Sequence, residues 1–134
     1  KDINFVMEEA LSFDGNTGPY VQYTYARACS VLSRAGEIKD LPVSITSEEE
    51  ATLVKTLCRF GERVNAAIAD YEPSYITRFI LDVAAAFNRF YHNCPILTAE
   101  DETVRASRIR LTEATKIVLG NAFDLICLKK TEKV

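Results

Sequence analysis

Residues 73–93 read PSYITRFILDVAAAFNRFYHN. Ile76, Phe79, Ile80, Val83, Phe87, Phe90 and Tyr91 recur at intervals of one, three and four, a spacing that lines one face of an α-helix. Pro73 stands where a helix can begin without losing a needed N–H, and Pro95 breaks the chain just past Asn93. The stripe carries much of the chain's aromatic bulk, which predicts a helix at the centre of a bundle.

The same period extends outward in both directions. Upstream, Ser47 and Glu50 form a Ser-x-x-Glu capping box. Leu53, Leu57, Phe60, Val64, Ala67, Ile68 and Tyr71 then trace one apolar face, predicting a single helix from Ser47 to Asp70-Tyr71 that bends at Gly61. A linker over about Glu37–Thr46 contains Pro42 and the one short strand candidate, Leu41 to Ile45. Before it, a helix from about Gly18 to Arg34 turns Val21, Tyr25, Ala28, Leu32 and Ala35 to the core, with Gly36 as its stop. Thr17 is placed to cap that helix. Asn4 to Phe13 reads as a short acidic helix ended at Asp14-Gly15. Downstream of a loop over Cys94–Ala99, Glu100-Asp101-Glu102 opens a last helix through the dipole. That helix carries Val104, Leu111, Val118, Leu119, Phe123, Leu125 and Ile126, with Gly120 as a kink site. The expected fold is all-α, a helical bundle of about five main helices in one domain over residues 1–134.

At 134 residues the chain is long enough to bury a core without staples. Cys29, Cys58, Cys94 and Cys127 lie 29, 36 and 33 residues apart, with no short pair to hold zinc. They read as reduced, buried thiols of a cytoplasmic protein. There is no signal peptide and no apolar run of membrane length, so no membrane partner is expected. The net charge of −3 is unevenly spread. Residues 103–134 hold seven Lys/Arg against three Asp/Glu, net +4, and residues 1–102 carry −7. The surplus reads either as solvated helix faces or as a basic face for phosphates.

Three groups of residues have the chemistry of recognition. Tyr20, Tyr23, Arg27, Ser30 and Arg34 form a stripe offset from the core stripe of their helix. Tyrosine stacks on a base and hydrogen-bonds through its hydroxyl, while arginine stacks or forks onto phosphate. The competing reading makes some of these tyrosines core residues. Arg89, Tyr91, His92 and Asn93 lie at the exit of the aromatic helix. His92 is the single histidine and lacks companions for metal or acid–base work, which favours a solvent-facing or capping role. Arg105 and Arg108 share a face of the last helix, with pairing to Glu100–Glu102 as the alternative. No Walker loop, Rossmann fingerprint, HExxH or GxSxG occurs, so no catalysis is expected of this chain alone.

The segment Phe13-Asp14-Gly15-Asn16-Thr17-Gly18-Pro19-Tyr20-Val21-Gln22-Tyr23 through Ala26-Arg27 closely resembles a signature of the C-terminal, DALR-type anticodon-binding domain of arginyl-tRNA synthetases. Glu72-Pro73-Ser74, then Phe87-Asn88-Arg89-Phe90-Tyr91 and Ile96-Leu97, match a second segment. Arg110-Leu111 through Val118-Leu119 to the C-terminus match a third. The resemblance implies an all-α domain, excised from a longer chain, that binds the anticodon arm of the tRNA for arginine beside an N-terminal catalytic domain. It implies no cofactor in this domain, and ATP with magnesium for the parent arginine–tRNA ligase. The motifs HIGH and KMSKS of that catalytic half are absent here. The implied tRNA-binding residues are Tyr20, Tyr23, Arg27, Arg89, Tyr91, His92, Arg108 and Val134. The tail departs from the family pattern: Cys127, Thr131 and Val134 replace its Gly, Pro and Met. An alternative expectation is therefore a diverged protein-interaction bundle without RNA binding.

Overall fold

The computed structural model describes residues 17–132, all in helices and connecting loops with no strand among them. We label the helices α1 (Thr17–Ala35), α2 (Glu48–Leu57), α3 (Phe60–Ala69), α4 (Ser74–Asn93) and α5 (Glu102–Leu125). The expected helix Asn4–Phe13 lies outside the described residues, as does Val134; Thr17, expected to cap α1, is instead its first residue.

α4 is the axis of the bundle. Phe79, Phe87 and Phe90 are buried along it, with Ile76, Ile80 and Val83. Each such side chain contributes about 1.5–3 kcal/mol through removal from water. Contacts along its length fix the directions of its neighbours. α1 runs parallel to it, because Asn88 meets Tyr20 and Arg27 while Arg27 also reaches Tyr91. α2 and α3 run antiparallel: Glu49 faces Asn93, Arg59 faces Asp82, and Phe60 stacks on Phe79. α5 returns antiparallel beside α1 and packs Phe123 against Tyr25, with ring centroids 5.6 Å apart. The expected all-α helical bundle is what the chain forms, and its helices run up and down.

Each helix end has a local cause. Gly36 takes φ +71 after α1, where a side chain would be strained. Ser47 and Glu50 complete the capping box of α2 from both sides. Asp101, the middle of the acidic run, caps α5 by accepting from Thr103 N and Val104 N. α3 and α5 both close on Schellman turns, in which N–H groups past the helix end return to carbonyls of its last turn. Glu72 N donates to Ala67 O and Tyr71 N to Ile68 O; Leu128 N donates to Phe123 O and Cys127 N to Asp124 O. Such turns need one left-handed residue. Here it is Tyr71 at φ 52 and Cys127 at φ 60 rather than glycine.

Several expectations are corrected. The single helix from Ser47 to Tyr71 is two, broken at Cys58-Arg59 rather than bent at Gly61. The break re-phases the apolar stripe. Phe60 is brought to 5.5 Å from Phe79, and Ile68 and Tyr71 turn outward to 68% and 88% exposure. Leu41–Ile45 is not a strand. α5 runs through Gly120, where the helix packs against the Tyr25 ring. Leu125 is exposed at its end. The four cysteines are free thiols, but only Cys94 is buried, with Cys29 half-buried and Cys58 and Cys127 exposed. No described helix is long and apolar enough to cross a membrane.

Candidate nucleic-acid interface

The two faces of α1 separate as its spacing demands. Val21, Tyr25, Ala28 and Val31 point inward and are buried. A quarter-turn away, Tyr20 and Tyr23 are 40% and 58% exposed, so both rings offer faces to solvent. Arg27, one and two turns further on, is half-buried between α1 and α4.

Asn88 of α4 organises this surface. Its Oδ1 accepts from Arg27 Nη1 at 2.6 Å. Its Nδ2 donates to Thr24 Oγ1 at 2.9 Å and to the Tyr20 hydroxyl at 3.2 Å. Thr24 in turn donates to Tyr20 O. One amide thereby fixes the amide plane, the Tyr20 ring and the Arg27 fork in a single arrangement. Arg27 also lies over the Tyr91 ring, 4.4 Å from Cζ to the centroid, a cation–π contact that restrains the guanidinium. Among the described residues its only hydrogen bond is the one to Asn88, which leaves other N–H groups for an acceptor from outside.

Tyr91 extends the surface along α4. Its ring meets His92 edge-on at 5.4 Å and packs against Phe87 at 6.3 Å. Beyond it lies an open cleft of about 360 Å³, lined by Val31, Arg34, Tyr91, His92, Ile96 and Leu97, with Thr98 at its edge. His92 is exposed on this rim, and Arg34 faces it from α1. Arg89 is exposed one turn before His92 on the same side of α4. Tyr20, Arg27, Tyr91 and His92 are joined by these contacts into one α1–α4 surface, with Tyr23 exposed on the same helix as Tyr20 and Arg27; Arg89 is exposed on α4 but no contact joins it to the others.

Arg108 is elsewhere. Its side chain is 12% exposed and pairs with Glu50, Nε to Oε2 at 2.8 Å. Its Nη1 donates to Pro95 O at 2.7 Å and its Nη2 to Thr46 Oγ1 at 3.3 Å. The guanidinium is committed within the chain, and its partner is Glu50 rather than the acidic run 100–102. Glu50 is fully buried and also accepts from Thr46 N, Thr46 Oγ1 and Ser47 N. Burial pushes its carboxyl upward, but the hydrogen bonds from Arg108, Thr46 and Ser47 overcome this and hold the pKa at about 2. Two other α5 cations are engaged within the chain. Arg105 donates to Leu97 O, and Arg110 pairs with Asp40. Past the helix end, Lys130 pairs with Asp124. Much of the C-terminal positive surplus is thus held by acidic residues and a loop carbonyl, and the cations on the aromatic surface come from α1 and α4.

Asn88 belongs to this surface although it did not stand among the expected binding residues, and Arg34, a member of the expected recognition stripe that the resemblance left out, lines the cleft. Asn88 had a signal: a polar side chain one helical turn before Tyr91 on the aromatic helix, inside a matched segment. Among the described residues no cluster of His, Cys, Asp and Glu could hold a metal ion. No residue here is assigned to ATP or magnesium.

Comparison with known proteins places this surface in a family. The family model described as the DALR anticodon binding domain matches residues 21–134. The chain is 44% identical over 136 residues to an arginine–tRNA ligase of Clostridium botulinum, and 46% identical over 138 residues to that of Clostridium perfringens. Both matches cover 100% of this chain and 24% of the relative, so the chain spans about a quarter of the length of these curated relatives. Among solved structures, Thermus thermophilus arginyl-tRNA synthetase superposes with a TM-score of 0.84 at 36% identity, over 95% of this chain and 23% of that one. The chain belongs to the DALR anticodon binding domain family and is homologous along its whole length to about a quarter of an arginine–tRNA ligase.

Proposed function

We propose that the α1–α4 surface binds the anticodon arm of the tRNA for arginine. The observation that carries this reading is the Asn88-centred array: one amide holds Tyr20 and Arg27, Arg27 lies over the Tyr91 ring, and Tyr91 meets His92, with the exposed Tyr23 on the same helix as Tyr20. An anticodon loop presents unstacked bases and a bent phosphate backbone, which such an array complements. In this reading Tyr20 and Tyr23 stack on bases, and Arg27, Arg34 and Arg89 meet phosphates. Tyr91 and His92 border the cleft for a splayed base, and Val134, outside the described residues, is kept as a contact on the family resemblance alone. Arg108 is left out, because its donors are already engaged.

The rest of the proposal concerns the parent protein. Joining arginine to its tRNA with ATP and magnesium is assigned to an N-terminal catalytic domain, in the three quarters of the relatives' length that this chain does not span. The proposed setting is the cytoplasm.

The test is a fluorescence titration of the 134-residue chain with a labelled hairpin carrying the arginine anticodon arm, against an unrelated anticodon arm. Binding should be selective and weaken steeply with salt. Tyr20→Leu should weaken it by about fivefold or more if the ring stacks on a base. Arg27→Ala should weaken it and lessen the salt dependence. Equal affinity for both hairpins, or none at low salt, refutes the proposal and leaves the protein-docking alternative.

A further inference from the structure

The cleft beside Tyr91 and His92 has a floor that α4 does not supply. It is built by the loop after α4, through Ile96, Leu97 and Thr98. A loop after a helix end has carbonyls that no helical N–H satisfies, and Pro95 removes one of its donors. Here the loop is held at three consecutive residues. Arg108 Nη1 donates to Pro95 O at 2.7 Å. Ile96 is buried in the core. Arg105 Nε donates to Leu97 O at 3.0 Å. The two arginines are three residues apart on α5 and so share a face. Arg108 is itself oriented by buried Glu50. Arg105 has no such second duty: Leu97 O is its one hydrogen-bond partner among the described residues.

We infer that Arg105 is a positioning residue for RNA binding: with Arg108 it pins the Pro95–Leu97 backbone, so that Leu97 and Thr98 stand at a fixed height beside Tyr91 and His92. This rests on the RNA reading above. Arg105 acts through the loop carbonyl and makes no contact with RNA.

Two variants separate positioning from a charge effect. Arg105→Gln keeps an N–H donor at the place of Nε while removing the cation, whereas Arg105→Met puts a methyl group there. Both keep the aliphatic stem, and thermal melts establish that both are folded at the assay temperature. Each is titrated with the arginine anticodon hairpin at two salt concentrations, and the amide resonances of Ile96, Leu97 and Thr98 are recorded without RNA. The expected result is weakening of about three- to tenfold for Arg105→Met, the worth of one hydrogen bond, and within about twofold of the parent for Arg105→Gln. The three amides should move in Arg105→Met and stay in Arg105→Gln. Equal weakening of both variants with a shallower salt dependence overturns the inference in favour of a direct phosphate contact, while the RNA reading stands. Unchanged binding in both also overturns it. If the parent chain itself binds no hairpin, the RNA reading fails and the inference with it, whatever the amides do.

Discussion

Replacing Glu50 with glutamine removes one charge and almost no volume, and it should be among the most damaging polar substitutions in this chain. In the parent, the Glu50 carboxylate neutralises Arg108 at 2.8 Å inside the bundle and receives three further hydrogen bonds from Thr46 and Ser47. Glutamine keeps one carbonyl oxygen, but it leaves the guanidinium nearly buried and without a counter-charge. Breaking such a pair from one side costs about 3–5 kcal/mol. The depressed carboxyl of Glu50 leads to a figure of similar size. Its carboxyl is held at about 2 against 4.5 when unperturbed. At about 1.4 kcal/mol per pKa unit, that difference is worth roughly 3 kcal/mol near neutral pH. The sign follows from the direction of the shift. A depressed carboxyl stabilises fully above its unfolded value, so the contribution is complete above about pH 4.5 and disappears as pH falls toward about 2. Urea denaturation of parent and Glu50→Gln should therefore show a gap of about 3 kcal/mol at pH 7 that closes across that window. In a thermal melt at pH 7 the loss should be roughly 10 °C. Two outcomes refute the reasoning: a gap below about 1 kcal/mol at pH 7, or a gap that stays constant from pH 7 to pH 2.

Substitutions at four other positions probe the packing and the helix ends. Cys127→Gly and Tyr71→Gly each relieve a left-handed side chain in a Schellman turn, so each should stabilise by about 1 kcal/mol in denaturant titration. A loss at Cys127 would mean that its side chain is needed where it stands. Gly120→Ala should be neutral or stabilising by up to about 1 kcal/mol, because the new methyl meets Tyr25 Cε1 at 3.4 Å while the helix loses its glycine; Gly120→Val should reverse the sign by pushing on the ring. Phe79→Ala empties a fully packed site beside Phe60 and should cost about 3–5 kcal/mol, measured as a shift of the urea midpoint at constant slope.

The interface was legible in the sequence to the extent that it depends on one helix at a time. Tyr20, Tyr23 and Arg27 separate from Val21, Tyr25 and Ala28 by angle alone, and the structure keeps that division. What joins Arg27 to Tyr91 is a contact across 64 residues of chain, made possible by Asn88 and by the parallel run of α1 and α4. Arg108 shows the opposite outcome. Beside Arg105, and with a positive surplus around it, it looked like a phosphate ligand. Its fate was decided by Glu50, 58 residues away, a residue whose local role as a capping-box partner was already evident. The departure at Cys127 also gains a physical meaning. The position where the family carries glycine is a left-handed one, and here a side chain occupies it.

The sequence by itself determined the helices, most of their ends and the buried face of α4. Those follow from interactions within a few residues: apolar spacing, capping side chains and proline. The tertiary structure alone decided three things. The Ser47–Tyr71 stretch divides at Cys58-Arg59, so that Phe60 can stack on Phe79. Arg105, Arg108, Arg110 and Lys130 close on acidic residues and loop carbonyls. One asparagine joins two helices into the proposed binding surface. Each depends on which distant groups meet, and helical periodicity records only which way a side chain points, not what it will find there.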